Sequence, residues 1–213
     1  MKKILNLVLT LLFTFTMQVN FAQSRETFIE QLDALESNNA KGQLEVLDKA
    51  IKKFPKDADL YDRRANVKKG MEVAFSKKDT YGFMADYTKA IECENVAWRY
   101  SSRANAKVGL DDFKGALADD DIAVAMATKS GDKQAMFTAY HSRVTSKSAL
   151  RDMKGVIEDY TMALKYIEDP KGSFAASCYS SMADYAEEAK DFNTALKHLD
   201  TAATLYKELN DDT

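Results

Sequence analysis

Two prolines and eight glycines are spread through 213 residues, too few to cut the chain into the short strands and tight turns of an all-β fold. The only two histidines, His141 and His198, stand in no spacing that a zinc site or an acid–base relay uses. No glycine-rich phosphate loop precedes a helical pattern, no nucleophile-elbow sequence occurs, and neither Cys93 nor Cys178 has a base partner in the sequence. The sequence therefore predicts no catalytic residue, no metal site and no cofactor. Lysine and arginine form no dense basic block and the formal net charge is -3, so the strong phosphate contacts that nucleic acid requires are missing.

What is present is a globular composition, 46% hydrophobic and 30% charged, with enough apolar material for a sizeable core. Alanine, leucine, lysine and the acids are abundant, which favours helices and predicts an all-α fold. Residues 1–22 follow another rule: Lys2 and Lys3 precede an uncharged stretch over 4–19, and Ala22 closes it before Gln23. That is the pattern of a cleavable secretory signal peptide. A membrane anchor needs about 20 strongly apolar residues; this run is shorter and is diluted by Asn6, Thr10, Thr14 and Thr16. The absence of a cysteine at the cleavage point argues against a lipoprotein. The expectation is a mature chain from Gln23, without a membrane span, in the periplasm or secreted, its formal charge moved from -3 to -5 by the loss of Lys2 and Lys3.

The rest of the chain repeats itself. Tyr61-Asp-Arg-Arg64-Ala-Asn-Val-Lys68, Tyr100-Ser-Ser-Arg103-Ala-Asn-Ala-Lys107 and Tyr140-His-Ser-Arg143-Val-Thr-Ser-Lys147 share Tyr-x-x-Arg-x-x-x-Lys. A fourth copy keeps Tyr179 but has Met182 and Ala186, and the tyrosines lie 39, 40 and 39 residues apart. A second block follows each: Asp79-x-x-Gly82 leading to Asp86-Tyr87, Asp112-x-x-Gly115 to Asp119-Asp120, Asp152-x-x-Gly155 to Asp159-Tyr160, and Asp191 to Leu199-x-x-Ala202. Apolar residues in these blocks recur at three and four, the spacing of one helical face. Asp79, Asp112, Asp152 and Asp191 each occupy an expected N-cap, where a carboxylate accepts free backbone N–H groups. Ahead of them, Phe28, Ile29, Leu32 and Leu35, then Leu44, Leu47, Ala50 and Ile51, mark a degenerate first unit.

Two amphipathic helices per unit joined by a short Gly/Asp turn resemble the tetratricopeptide repeat, over almost the whole mature chain. Tyr100, Arg103-Ala104, Leu110, Ala116 and Ala123 fill that family's slots in the clearest unit. Asp120 stands where an aromatic is usual, and the period exceeds the family's usual ~34 residues. The excess falls between Lys68 and Asp79 and in linkers around 129–133 and 170–173. The resemblance implies an α-solenoid of about five helix-turn-helix units and ten helices over 23–213, the units at approximately 25–54, 57–93, 96–128, 133–168 and 173–209. On this register Cys93 and Cys178 fall in units separated by two others, beyond the ~7 Å that a disulfide can bridge, and read as small buried apolar residues.

Stacked helix pairs line a concave surface with the first helix of each unit. The lining slots of the resembled family map to Asp62, Asn66, Trp98, Ser101, Asn105, His141, Thr145, Ser180, Asp184 and Glu187, a groove for a protein or extended peptide. Asn66 and Asn105 each offer a donor and an acceptor to a ligand backbone. Trp98, the single tryptophan, reads either as a ligand anchor or as packing between units. The basic carboxylate clamp by which some members hold chaperone tails is missing, because Asp62, Ser101 and Ser102 stand in its place.

Two structural readings complete the picture. Where the first helix carries arginine, at Arg64, Arg103 and Arg143, the second carries aspartate, at Asp86, Asp119 and Asp159; the last unit has Met182 and His198 instead. This predicts three ion pairs clamping the hairpins of units two to four. Asp119-Asp120-Asp121 does not make a calcium site, since successive helical side chains point about 100° apart; Asp121 reads as solvated and Asp120 is left without a role. The last helix carries Ala195, Leu199, Ala202, Tyr206 and Leu209 along a stripe, a second candidate surface for self-association or docking in an envelope complex.

Overall fold

A computed structural model of the protein describes residues 24–72 and 77–211. The expected signal segment 1–22 lies outside the described residues. Among those residues the chain forms ten α-helices and no strand: α1 (Arg25–Asp33), α2 (Ala40–Lys53), α3 (Ala58–Met71), α4 (Phe83–Cys93), α5 (Ala97–Gly109), α6 (Phe113–Ser130), α7 (Lys133–Ala149), α8 (Met153–Leu164), α9 (Ser173–Glu188) and α10 (Phe192–Asp211). Each packs on its neighbour in sequence, and α5 also packs on α7. The result is an all-α helical-repeat fold, stacked as five hairpins. None of these helices is long and apolar enough to cross a membrane.

The turn inside a hairpin is built from one repeated device. At Asp111, Arg151 and Lys190 the backbone enters the left-handed region, with φ of 61°, 64° and 61°. The N–H of the next residue then reaches back to the carbonyl five positions earlier: Asp112 to Lys107 at 3.0 Å, Asp152 to Lys147 at 3.0 Å, Asp191 to Ala186 at 2.8 Å. These are Schellman closures, which satisfy carbonyls that a helix end leaves free. The same three aspartates start the following helix, their carboxylates accepting from Gly115, Gly155 and Thr194 N–H at 3.0, 3.0 and 3.2 Å. At Gly115 and Gly155 a Cβ would fall 2.1 Å from the capping carboxylate, so the recurring Asp-x-x-Gly records a close approach.

Asp79 departs from the expectation. Here α4 starts one turn later, with Gly82 at the cap in the left-handed region, φ 74°. The Asp79 carboxylate still serves the first turn, accepting from Phe83 N at 2.7 Å and Met84 N at 3.0 Å. The third link also differs. No long linker surrounds 129–133; α6 runs on to Ser130 and only Gly131 and Asp132 separate it from α7, so the extra residues lengthen helices.

The three arginine–aspartate pairs form, each bidentate. Arg64 meets Asp86 at 2.9 and 2.6 Å, Arg103 meets Asp119 at 2.8 and 2.7 Å, and Arg143 meets Asp159 at 2.9 and 2.7 Å. The repeated lysine closes the group: Lys68, Lys107 and Lys147 reach the same carboxylates at 2.8, 2.8 and 3.0 Å. Every guanidinium lies over the tyrosine three residues before it, 5.6, 5.6 and 5.5 Å from the ring centre. Its remaining nitrogen donates to the preceding unit, to Asp48, Thr88 and Asp121 respectively. Asp121 is therefore ion-paired with Arg143 as well as exposed. The Tyr-x-x-Arg-x-x-x-Lys motif is thus an inter-helix clamp for a buried carboxylate.

Asp120 has a place too. Its side chain is fully buried between α6 and α7, accepting from Ser142 Oγ at 2.7 Å and Ser146 Oγ at 2.5 Å, one helical turn apart. It stands where Tyr87 and Tyr160 stand in the neighbouring units, and two serine hydroxyls take up its oxygens. Burial pushes its carboxyl up to about 6, against the pull of those hydroxyls.

Candidate peptide-binding groove

The first helices α5 and α7 run side by side, and two cavities open along them. One, of about 350 Å³, is lined by Trp98, Ser101, Ser102, Asn105, Phe137, Thr138, His141, Ser142 and Thr145. The other, of about 430 Å³, shares Trp98 and Thr138 and is otherwise bounded chiefly by Val96, Ala97, Met126 and Ala135 with a polar rim. Five of the ten expected groove residues therefore share one cavity: Trp98, Ser101, Asn105, His141 and Thr145. Trp98 is 44% exposed and borders both spaces, with the Arg99 guanidinium 4.2 Å from its ring centre.

The polar cavity carries no charged side chain. Asn105 and Thr145 are exposed, and their side chains make no hydrogen bond to other described residues. Ser101 is only 3% exposed, and its hydroxyl has no hydrogen-bond partner among the described residues. His141 stacks on Phe137 at 5.8 Å and lies against Phe174 and Tyr160, 5.4 and 6.2 Å away. Burial among these rings depresses its pKa, leaving a neutral imidazole at pH 7. Phe137, Thr138 and Ser142 were not expected there. They lie on the α7 face that also carries His141 and Thr145, and the four-residue step from Phe137 to His141 was the available signal.

Other expected groove residues are placed differently. Asp62 is buried and pairs with Arg99, so it does not line the groove. Arg99 is 1% exposed, the largest fully buried side chain, and also meets Asp59 at 2.8 Å and Glu94. The tyrosine-preceding position is occupied by Leu60, Arg99, Ala139 and Cys178, all buried. An arginine in that core slot demands a carboxylate, and Asp62 is the one acid among the residues that follow the four tyrosines, Asp62, Ser101, His141 and Ser180. Asn66 is exposed, but its amide oxygen accepts from Tyr87 Oη at 2.6 Å, which halves its capacity to grip a backbone. Ser180, Asp184 and Glu187 lie on α9, outside both cavities.

At the C-terminal end the exposed stripe is also displaced. Ala195 and Ala202 are buried against the preceding helix, whereas Phe192, Leu196, Leu199 and Tyr206 are exposed along one face of α10. Cys93 and Cys178 are both free thiols. Burial raises Cys178 to about 11, so it is an inert core thiol.

This architecture places the chain in the class of all-α helical-repeat folds, and its neighbours among solved structures share that fold. It is similar to a crystal structure of MamA protein, with a TM-score of 0.68, 14% identity, and coverage of 88% of this chain and 94% of that one. A MamA fragment from Desulfovibrio magneticus RS-1 gives a TM-score of 0.67 at 13% identity, covering 88% and 97%. The apo form of RapI gives 0.65 at 12% identity, covering 86% and 70%. At such identities the likeness concerns the fold alone. No family model matches the sequence, and no curated protein matches it.

Proposed function

We propose that the protein is an exported, non-catalytic scaffold that binds a protein or extended peptide in the groove along α5 and α7. The observation that carries this reading is the pair of adjoining cavities around Trp98, an exposed aromatic set between an apolar space and an uncharged polar one. Such anchors dominate binding energy at recognition sites. His141, packed among aromatic rings, and the Schellman-capped, clamped hairpins wall the groove. The signal-like segment 1–22 supports the exported part of this reading, with the periplasm or the exterior as the place of action.

The test is capture from envelope extract by the mature chain from Gln23 onward, followed by affinity measurement with whatever is captured. Trp98→Ala combined with Asn105→Ala is expected to weaken that partner by tenfold or more, while Leu199→Glu leaves it bound. A partner that ignores the double substitution removes the groove from the mechanism.

The exposed stripe on α10 supports a second reading, a structural subunit or homo-oligomer that docks through its last repeat. Phe192, Leu196 and Leu199 follow the i, i+4, i+7 spacing of one helix face and find no covering element among the described residues. If that face self-associates, sedimentation at high concentration shows a dimer or larger species that Leu196→Glu/Leu199→Glu converts to monomer. A wild-type monomer throughout would eliminate self-association.

A further inference from the structure

The unpartnered hydroxyl of Ser101 gives the groove a chemical preference. Its side chain is almost wholly buried and lines the polar cavity, yet it makes no hydrogen bond to another described residue. A buried polar group left without a partner is costly, and a ligand that supplies the partner recovers that cost on binding. Around it stand Ser102, Asn105 and Thr145, none bonded to another described side chain, and Ser142, whose proton is committed to Asp120 and which therefore offers only lone pairs to the cavity. Nothing in this wall carries charge. A lysine or glutamate side chain entering it would lose hydration and gain no counter-ion, and Asp120, buried behind Ser142, has both oxygens already occupied.

Next door the chemistry changes. The cavity across Trp98 and Thr138 is walled by Val96, Ala97, Met126 and Ala135. The one acid on its rim, Asp132, spends a carboxylate oxygen on the N–H groups of Gln134 and Ala135 at the start of α7. A methionine in such a wall adapts to an unbranched or branched aliphatic side chain.

We propose that the two cavities together select a short uncharged motif in the bound peptide: an aliphatic side chain in the Met126 cavity and, within two residues of it, an amide or hydroxyl side chain that reaches Ser101. In an extended segment residues two apart point to the same side, about 6.6 Å from each other, so such a pair reaches adjoining spaces. The inference rests on the groove reading and adds the ligand chemistry. A site built to hydrogen-bond a polar side chain rejects the analogue that lacks it much more strongly than an apolar pocket rejects a missing methylene.

Trp98, the single tryptophan in the chain, borders both cavities, so its fluorescence reports their occupancy directly. The experiment screens an array of acetylated, amidated pentapeptides of randomised sequence against the mature protein, then titrates the selected peptides by tryptophan emission. Selected peptides are expected to pair Leu, Ile or Met with a nearby Asn, Gln, Ser or Thr and to carry no charge at either position. Replacing that polar residue with alanine should weaken binding about tenfold to wild type but no more than about twofold to Ser101→Ala. Free Ser101→Ala should melt at the same temperature as wild type or higher, because it loses an unsatisfied hydroxyl, which keeps the comparison clear of misfolding. If the selected peptides shift Trp98 but carry charged residues, or bind Ser101→Ala and wild type with the same preference, the motif fails and the groove reading stands. If no peptide binds or perturbs Trp98, both fail together.

Discussion

Replacing Arg103 with methionine should lower the free energy of unfolding by about 3 kcal/mol, the low end of what breaking a buried ion pair costs. Asp119 is buried and receives two guanidinium hydrogen bonds from Arg103 and one contact from Lys107. Burial alone would raise its carboxyl; Arg103 and Lys107 outweigh burial and hold it below the usual carboxylate value. Removing Arg103 leaves that carboxylate with a single cation and severs the bond to Thr88 in the preceding unit. Urea denaturation of wild type, Arg103→Met, Asp119→Leu and the double variant checks this. The double variant should regain most of the lost stability, since apolar residues can replace a buried pair at little cost once neither charge is stranded. A loss below about 1 kcal/mol for Arg103→Met would mean that the carboxylate finds water or Lys107 without penalty, and that the clamp contributes little.

Asp120→Asn should reverse the usual acid behaviour of one position. A carboxyl whose folded value is raised to about 6 binds its proton more tightly in the folded than in the unfolded chain. Its contribution to stability is therefore fully present below the unfolded value of about 4 and is lost as pH rises through about 6. Two units of displacement correspond to about 3 kcal/mol. Asparagine is neutral throughout and keeps one acceptor for the serines. The difference in unfolding free energy between Asp120→Asn and wild type should thus shift in favour of the variant by about 2–3 kcal/mol between pH 4 and pH 7.5, then stay flat. Asp119, held low by Arg103 and Lys107, moves the whole protein the other way, losing stability as pH falls, which is why the difference between variants is the informative quantity. A difference independent of pH would place Asp120 in contact with water.

The scaffold was legible because the chain contains copies of itself. Three arginines matched by three aspartates identify a clamp without any outside comparison, and the spacing of the tyrosines marks four of the five hairpins, the first being marked by its apolar pattern alone. The lysine in the same motif was visible but unassigned; it approaches the aspartate from one turn further along the first helix, and only the packed geometry shows that both cations share one carboxylate. Of the expected groove positions, half line one cavity. Positions on α5 and α7 come together because those two helices run in contact, whereas Ser180, Asp184 and Glu187 occupy equivalent slots on a helix that does not join the cavity. Asp62 was misassigned because its role depends on a residue unique to the next unit: Arg99 stands where the other units have Leu60, Ala139 and Cys178. A residue that breaks the repeat cannot be interpreted from the repeat. The same holds for Asp120, whose compensation, Ser146, occupies a place held elsewhere by Val67, Ala106 and Tyr185.

In the last three hairpins, one aspartate ends the first helix and begins the second, closing a Schellman turn with its N–H and capping with its carboxylate. No spare residue exists at that corner. An insertion there would separate the two functions and free both helix ends at once, while an insertion between hairpins would disturb neither. Residues have accumulated in just such a link, the stretch 165–172 between α8 and α9, and the chain can be extended or shortened there, or by whole hairpins, without redrawing any corner. The architecture thus has built-in sites of growth, and they lie away from the two cavities along α5 and α7.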